Sequence, residues 1–113
     1  MRAEDYKRSH LKRISDRSLR RDLWAWYGGE DSDFKDIDSD FYYFDVTDDK
    51  VMDGVEIVRM TVLLQPSVYE GQRRKIVSDL KELVRKNKYG VFEGQFGENG
   101  GYISLVKDLQ GKI

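Results

Sequence analysis

The chain has 113 residues, no cysteine and a net charge of −1, so it fits one domain able to bury a core without staples, and disulfides and thiolate metal sites are excluded. Hydrophobic residues at 39% and charged residues at 36% make it polar for a globular protein, yet outside the range of low hydrophobicity and high net charge where disorder is expected. The start, MRAEDYKRSH, is charged where a signal peptide needs an apolar run, and no stretch approaches the ~20 apolar residues of a membrane span; the expectation is a cytoplasmic protein with no membrane partner.

Residues 3–14 place Ala3, Tyr6, His10 and Ile14 on one helical side and Arg8 and Lys12 on the other, which predicts an amphipathic helix. Ser15 and Asp16 then offer an N-cap for a second helix, in which Leu19, Leu23, Trp26 and Tyr27 share a face before Gly28-Gly29 ends it. Residues 30–40, EDSDFKDIDSD, read as an acidic loop, because Asp and Ser side chains compete for local backbone hydrogen bonds. Residues 41–46 (FYYFDV) and 54–65 (GVEIVRMTVLLQ) have the aromatic and β-branched character of strands, with TDDKVMDG as the polar connection of a hairpin. In the second of these, Val58, Met60, Val62 and Leu64 alternate with Ile57, Arg59, Thr61 and Leu63, so both faces are partly covered and the strand is central.

Pro66-Ser67 opens a long helix expected over 68–87, where Ile76, Val77, Leu80, Leu83 and Val84 make one apolar stripe. Residues 89–96 and 102–106 read as two strands joined through Asn99-Gly100, a short hairpin signal. The expected class is therefore α+β, a single domain over 1–113 in the order ααββαββ. It comprises an N-terminal helical pair (1–29), the acidic loop (30–40) and a ββαββ core (41–113). In that core a four-stranded, mainly antiparallel sheet carries the long helix on one face, and the N-terminal pair covers an edge or the second face.

Charge is segregated along the chain. Residues 1–21 hold eight Arg and Lys against three acids, and residues 30–56 hold eleven acids against two lysines; residues 70–88 return to seven basic against three acidic side chains. On the long helix Arg74, Lys81, Arg85 and Lys88, with Ser78, fall near a common direction opposite Leu80, forming a basic stripe. Cations at one-turn spacing suit a phosphate backbone, and they equally suit the solvated outer face of a helix.

The acidic block admits two further uses besides that of a solvated loop neutralised within its own fold. Asp36-Ile37-Asp38-Ser39-Asp40 begins like a calcium-binding loop, but Phe41 stands where that loop needs Gly and Thr47 where it needs a bidentate Glu. Glu30, Asp31, Asp33, Asp36, Asp38, Asp40, Asp45, Asp48 and Asp49, interleaved with aromatics such as Phe34, would instead present negative charge to a basic groove on a partner, as a nucleic-acid mimic does. Trp24, flanked by Arg20 and Arg21 and pointing away from Trp26, is an anchor for a partner or packs beneath the acidic loop or at a dimer seam.

Catalytic sets are poorly represented. The single histidine, His10, sits on the apolar side of the first helix; no G-x-S-x-G elbow is present, and GVFEGQFGENGG lacks the Lys-Ser/Thr ending of a phosphate loop. Any Asp-rich chain offers carboxylate pairs for a divalent cation, and Asp45 and Glu56 on neighbouring strands are the least implausible of them here. The reading is accordingly non-enzymatic, with no cofactor and no metal. No family motif can be laid on these positions. The general profile, a small charge-segregated chain with aromatics among acids, resembles small phage or mobile-element inhibitors of host nucleic-acid-handling enzymes, of the anti-CRISPR or anti-restriction type. That resemblance implies a protein partner with a basic groove, such as a nuclease. The alternatives are a DNA- or RNA-binding accessory protein using Arg74, Lys81, Arg85 and Lys88 with Arg8, Lys12 and Arg17, and an immunity protein that neutralises a toxin.

Overall fold

The computed structural model describes residues 11–12, 14–97 and 100–109. The expected first helix, with Arg8 and His10, falls largely outside them; its end, Leu11 and Lys12, forms a turn, and both Leu11 and Ile14 are buried. The described order is helix α1 (Arg17–Tyr27), two short 3-10 turns (Asp33–Asp36 and Ser39–Phe41), strands β1 (Tyr42–Met52) and β2 (Val55–Leu64), helix α2 (Glu70–Lys86), and strands β3 (Gly90–Gly97) and β4 (Gly100–Asp108). This is an α+β domain with one four-stranded antiparallel sheet in the order β1-β2-β4-β3. β2 is central, as its two-sided pattern requires.

The first hairpin is tighter than expected. TDDKVMDG is not a loop: most of it is strand, and only Asp53 and Gly54 turn, with φ of 53° and 77°. Two successive positive φ values are those of a type I′ turn, whose twist matches the flanking strands and which Asp-Gly adopts readily. A bulge between Val46 and Asp48 then changes the phase of β1. Phe44 and Val46 are buried opposite Val62 and Met60, and beyond the bulge it is Asp49, paired with Val58, that turns to that same face.

Both helices pack on this inner face. Asp16 caps α1 by accepting from the amides of Ser18 and Leu19 at 3.0 and 3.2 Å, and the helix buries Leu19, Leu23, Trp26 and Tyr27. The indole N–H of Trp26 donates to the carbonyl of Ile76 at 2.9 Å, which ties α1 to α2. Asn87, just past α2, donates to Asp22 at 2.8 Å and accepts from the Ser18 hydroxyl at 2.5 Å, so it clamps the two helices again. α2 starts at Glu70 rather than 68, because Val68 is drawn into the core and Tyr69 is still extended (φ −52°, ψ 130°). The described part of the N-terminal pair thus shares α2's face of the sheet. On the opposite face Tyr43, Leu63 and Tyr102 stand 50%, 43% and 66% exposed.

Candidate functional site

The acidic segment is not a free loop. Ser32 and Asp38 each cap one of its 3-10 turns, accepting from the amides of Phe34 and Asp40. The Ser32 hydroxyl also donates to the carbonyl of Trp26 at 2.6 Å, fastening the segment to the end of α1. Phe34 is buried and packs edge-on to Trp26 at 4.9 Å and to Tyr42 at 4.8 Å between ring centres; Ile37 is buried as well. This corrects the expectation that Phe34 is a partner-binding aromatic. The ring is spent on the core, because edge-to-face aromatic packing rewards burial of a large apolar side chain next to two others.

With the backbone held this way, the acids divide. Asp33 is engaged: its carboxylate accepts from Lys75 at 2.8 Å while its carbonyl accepts from Gln72 at 3.3 Å, both on α2. Lys75 also reaches Asp79 at 2.8 Å, and these two carboxylates, Asp33 first, raise its pKa above the usual lysine range. Glu30, Asp31, Asp36, Asp38 and Asp40 are exposed and make no ion pair among the described residues. Asp36 and Asp38 rim a shallow groove of about 360 Å³ floored by Ile37, Phe41 and Val68. Phe41, 41% exposed there, is an apolar surface amid carboxylates.

Of the remaining acids in the expected set, Asp48 is half-buried and 3.9 Å from Lys50, and Asp45 accepts from the Tyr43 hydroxyl at 3.4 Å on the outer sheet face. Asp49 lies within a polar cluster on the inner face. Its Oδ2 accepts from the Ser15 amide at 2.8 Å and from the Ser15 hydroxyl at 3.2 Å. Beside it, the buried Glu56 accepts from the Tyr89 hydroxyl at 2.5 Å, and Asp16 accepts from Tyr89 at 3.0 Å and Lys107 at 3.1 Å. Burial pushes the Asp16 carboxyl up, but the Leu19 amide, Lys107 and Tyr89 outweigh it and hold its pKa below the usual value. Burial, reinforced by Glu56 and Asp16, drives the Tyr89 phenol well above its usual range, so it stays protonated and donates.

Asp45 and Glu56 are not brought together as a cation pair. Asp45 pairs with Thr61 on the outer face, whereas Glu56 pairs with Val51 and Lys107 and points inward. Among the described residues no group of three or more His, Asp or Glu side chains is placed to hold a metal ion. No helix among them is long and apolar enough to cross a membrane.

No family model, curated protein or solved structure matches this chain.

The basic stripe is present on α2 but shorter than the sequence spacing implies. Arg74 is held by Glu70 one turn earlier at 2.6 Å. Lys81, Arg85 and Lys88 are exposed without ion pairs among the described residues, and Lys88 has left the helix with φ 69°. Trp24 is half-buried; with Leu11, Lys12, Arg17, Arg20 and Arg21 it lines a groove. Sequence reading missed the Asp16–Tyr89–Glu56 cluster, for which the only local signal was an acid at an inward position of β2.

Proposed function

We propose that this is a non-enzymatic binding protein that blocks a nucleic-acid-handling enzyme by placing its acidic surface in the enzyme's basic groove, in the manner of a small phage or mobile-element inhibitor. The observation that supports this reading is the division among the acids. Asp33, Asp49 and Glu56 are consumed internally, while Glu30, Asp31, Asp36, Asp38 and Asp40 stay exposed and unpaired among the described residues. Their backbone is fixed by two capped turns and two buried side chains. Fixed, uncompensated charge is what electrostatic recognition uses, since the ordering cost is met before binding and the field steers an oppositely charged partner. The exposed Phe41 lines the same groove as Asp36 and Asp38 and adds apolar contact beside that charge.

The test uses the tagged chain and a variant carrying Asp31→Lys, Asp36→Lys and Asp40→Lys, each incubated with extract of the native host. The expected result is capture of a nucleic-acid-binding protein by the native chain, its release by excess duplex DNA, and no capture by the variant. Capture that neither DNA nor the triple reversal disturbs would remove the mimicry reading. A captured secreted toxin would redirect the same acidic surface to the role of an immunity protein.

A second reading rests on the exposure of Lys81, Arg85 and Lys88 without ion pairs among the described residues. It makes the chain a nucleic-acid-binding accessory protein, and it requires retention of a labelled duplex at low salt with a steep loss as salt rises.

A further inference from the structure

We propose that the acidic groove beside the second 3-10 turn receives an arginine side chain from the protein partner, a reading that rests on the acidic-surface role above and names the group this surface takes. The groove holds about 360 Å³, within the ~300–1,000 Å³ usual for sites that enclose a small group. Its described lining has two carboxylates, Asp36 and Asp38, and three apolar side chains, Ile37, Phe41 and Val68, with Ser67 and Gln72 as neutral polar neighbours. No cation stands among those described lining residues, so the complementary charge is left for a partner to supply.

The local structure holds these groups without using up what they offer. The Phe41 amide donates to the Asp38 carbonyl at 2.9 Å and the Phe41 carbonyl accepts from the Gln65 amide at 2.9 Å, which anchors the residue at the margin of the sheet. Its ring is 41% exposed and packs on no other aromatic ring among the described residues. Asp38 Oδ1 accepts from the Asp40 amide at 3.0 Å, which orients that carboxylate. Neither Asp36 nor Asp38 makes an ion pair among the described residues. The three cations on the first turns of α2 are each engaged: Arg73 with the Val68 carbonyl at 2.8 Å, Arg74 with Glu70 at 2.6 Å, and Lys75 with Asp33 and Asp79 at 2.8 Å.

An arginine suits every part of this lining. Its planar guanidinium stacks on an aromatic face and gives a carboxylate two parallel N–H bonds, while its alkyl stem lies along apolar surface. It is also more weakly hydrated than a lysine ammonium, which favours it where the charge rests over apolar side chains such as Ile37 and Val68. A metal ion would use the carboxylates and leave the ring idle.

The test titrates the isotope-labelled chain with acetyl-Gly-Arg-Gly-amide to millimolar concentration under NMR observation, beside peptides in which lysine or citrulline replaces the arginine. The expected result is a set of saturable shifts centred on Ile37, Phe41, Ser67 and Val68 with the arginine peptide. The lysine peptide should bind about fivefold more weakly, and the neutral citrulline peptide should not bind. Asp36→Asn with Asp38→Asn removes both charges and keeps an acceptor for the Asp40 amide; it should weaken binding at least about tenfold, the loss of roughly one charged hydrogen bond. Phe41→Leu keeps an apolar side chain and should erase the preference for arginine over lysine. Unchanged amide spectra away from the groove show that both variants are folded. No saturable shift with the arginine peptide would overturn the proposal, as would equal binding of the lysine peptide, shifts centred elsewhere, or binding indifferent to the paired Asn substitutions. The outcome is separable from the capture experiment: partner capture that is lost on charge reversal, with no arginine bound in the groove, ends this assignment and leaves mimicry standing. Arginine bound in the groove, with capture that ignores DNA and charge reversal, does the converse.

Discussion

Tyr89 and Glu56, 33 residues apart in sequence, meet through a 2.5 Å hydrogen bond in which the phenol donates to a carboxylate that is only 4% exposed. The bond closes the polar end of the inner sheet face, where Asp49, Glu56 and Lys107 replace the apolar side chains found further along the same strands. Ser15 and Asp16 cover that end and so fasten the approach to α1 onto the sheet.

Replacing Tyr89 with Phe keeps the ring but strips Glu56 and Asp16 of a donor. A buried acceptor left without a partner costs about 1–3 kcal/mol, more when it is charged. The expected outcome is a loss of that size in denaturant unfolding at neutral pH. A Glu56→Gln variant, which can still accept from Tyr89, should lose less. Equal stability of Tyr89→Phe and the native chain would show that the cluster is not closed as described.

Asp16 makes stability depend on acid. Its folded pKa lies below the ordinary value near 3.8, so the folded state binds the proton less readily than the unfolded chain. The stabilisation is therefore complete above that unfolded value and is lost as pH falls through the folded pKa. Thermal melts from pH 6 down to about pH 2 should fall more steeply for the native chain than for Asp16→Asn. The asparagine variant keeps an N-cap acceptor and lacks the titration. Parallel curves would contradict the assignment.

Asp33 and Asp36, three residues apart, should respond unequally to reversal of charge. Asp33→Lys places a cation against Lys75 and removes its 2.8 Å partner, which should cost on the order of 1 kcal/mol and expose the backbone of the segment to faster hydrogen exchange. Asp36→Lys alters an exposed group with no ion pair among the described residues and should stay within about 0.5 kcal/mol of the native chain. Similar losses for both would mean that the acidic surface is held by its charges and is not free to engage a partner.

Much of the fold was legible because it rests on short-range patterns. The 3.6-residue stripe of Ile76, Val77, Leu80 and Val84, the Asp16 cap and the Gly28 stop set the helices. Alternation in β2 announced a central strand. β1 runs further than the sequence suggests because TDDKVMDG is polar apart from Val51 and Met52, and polarity marks an exposed strand as readily as a loop; only Asp53-Gly54 carries the turn. The Asn99-Gly100 turn was expected, and residues 98–99 lie outside those described; the Gly97–Gly100 pair that flanks them is formed.

The candidate sites were legible as composition and not as geometry. The sequence by itself determined where acid and base accumulate, which stretches become helix or strand, and that aromatic side chains would carry a small core. Tertiary structure alone decided which carboxylates face outward. Asp49 turns inward because a bulge shifts the phase of β1, and Asp33, Glu56 and Asp16 are engaged because Lys75, Tyr89 and Lys107 arrive from 42, 33 and 91 residues away. Whether a charge is neutralised depends on partners within a few ångströms, and chain folding sets those distances independently of sequence separation.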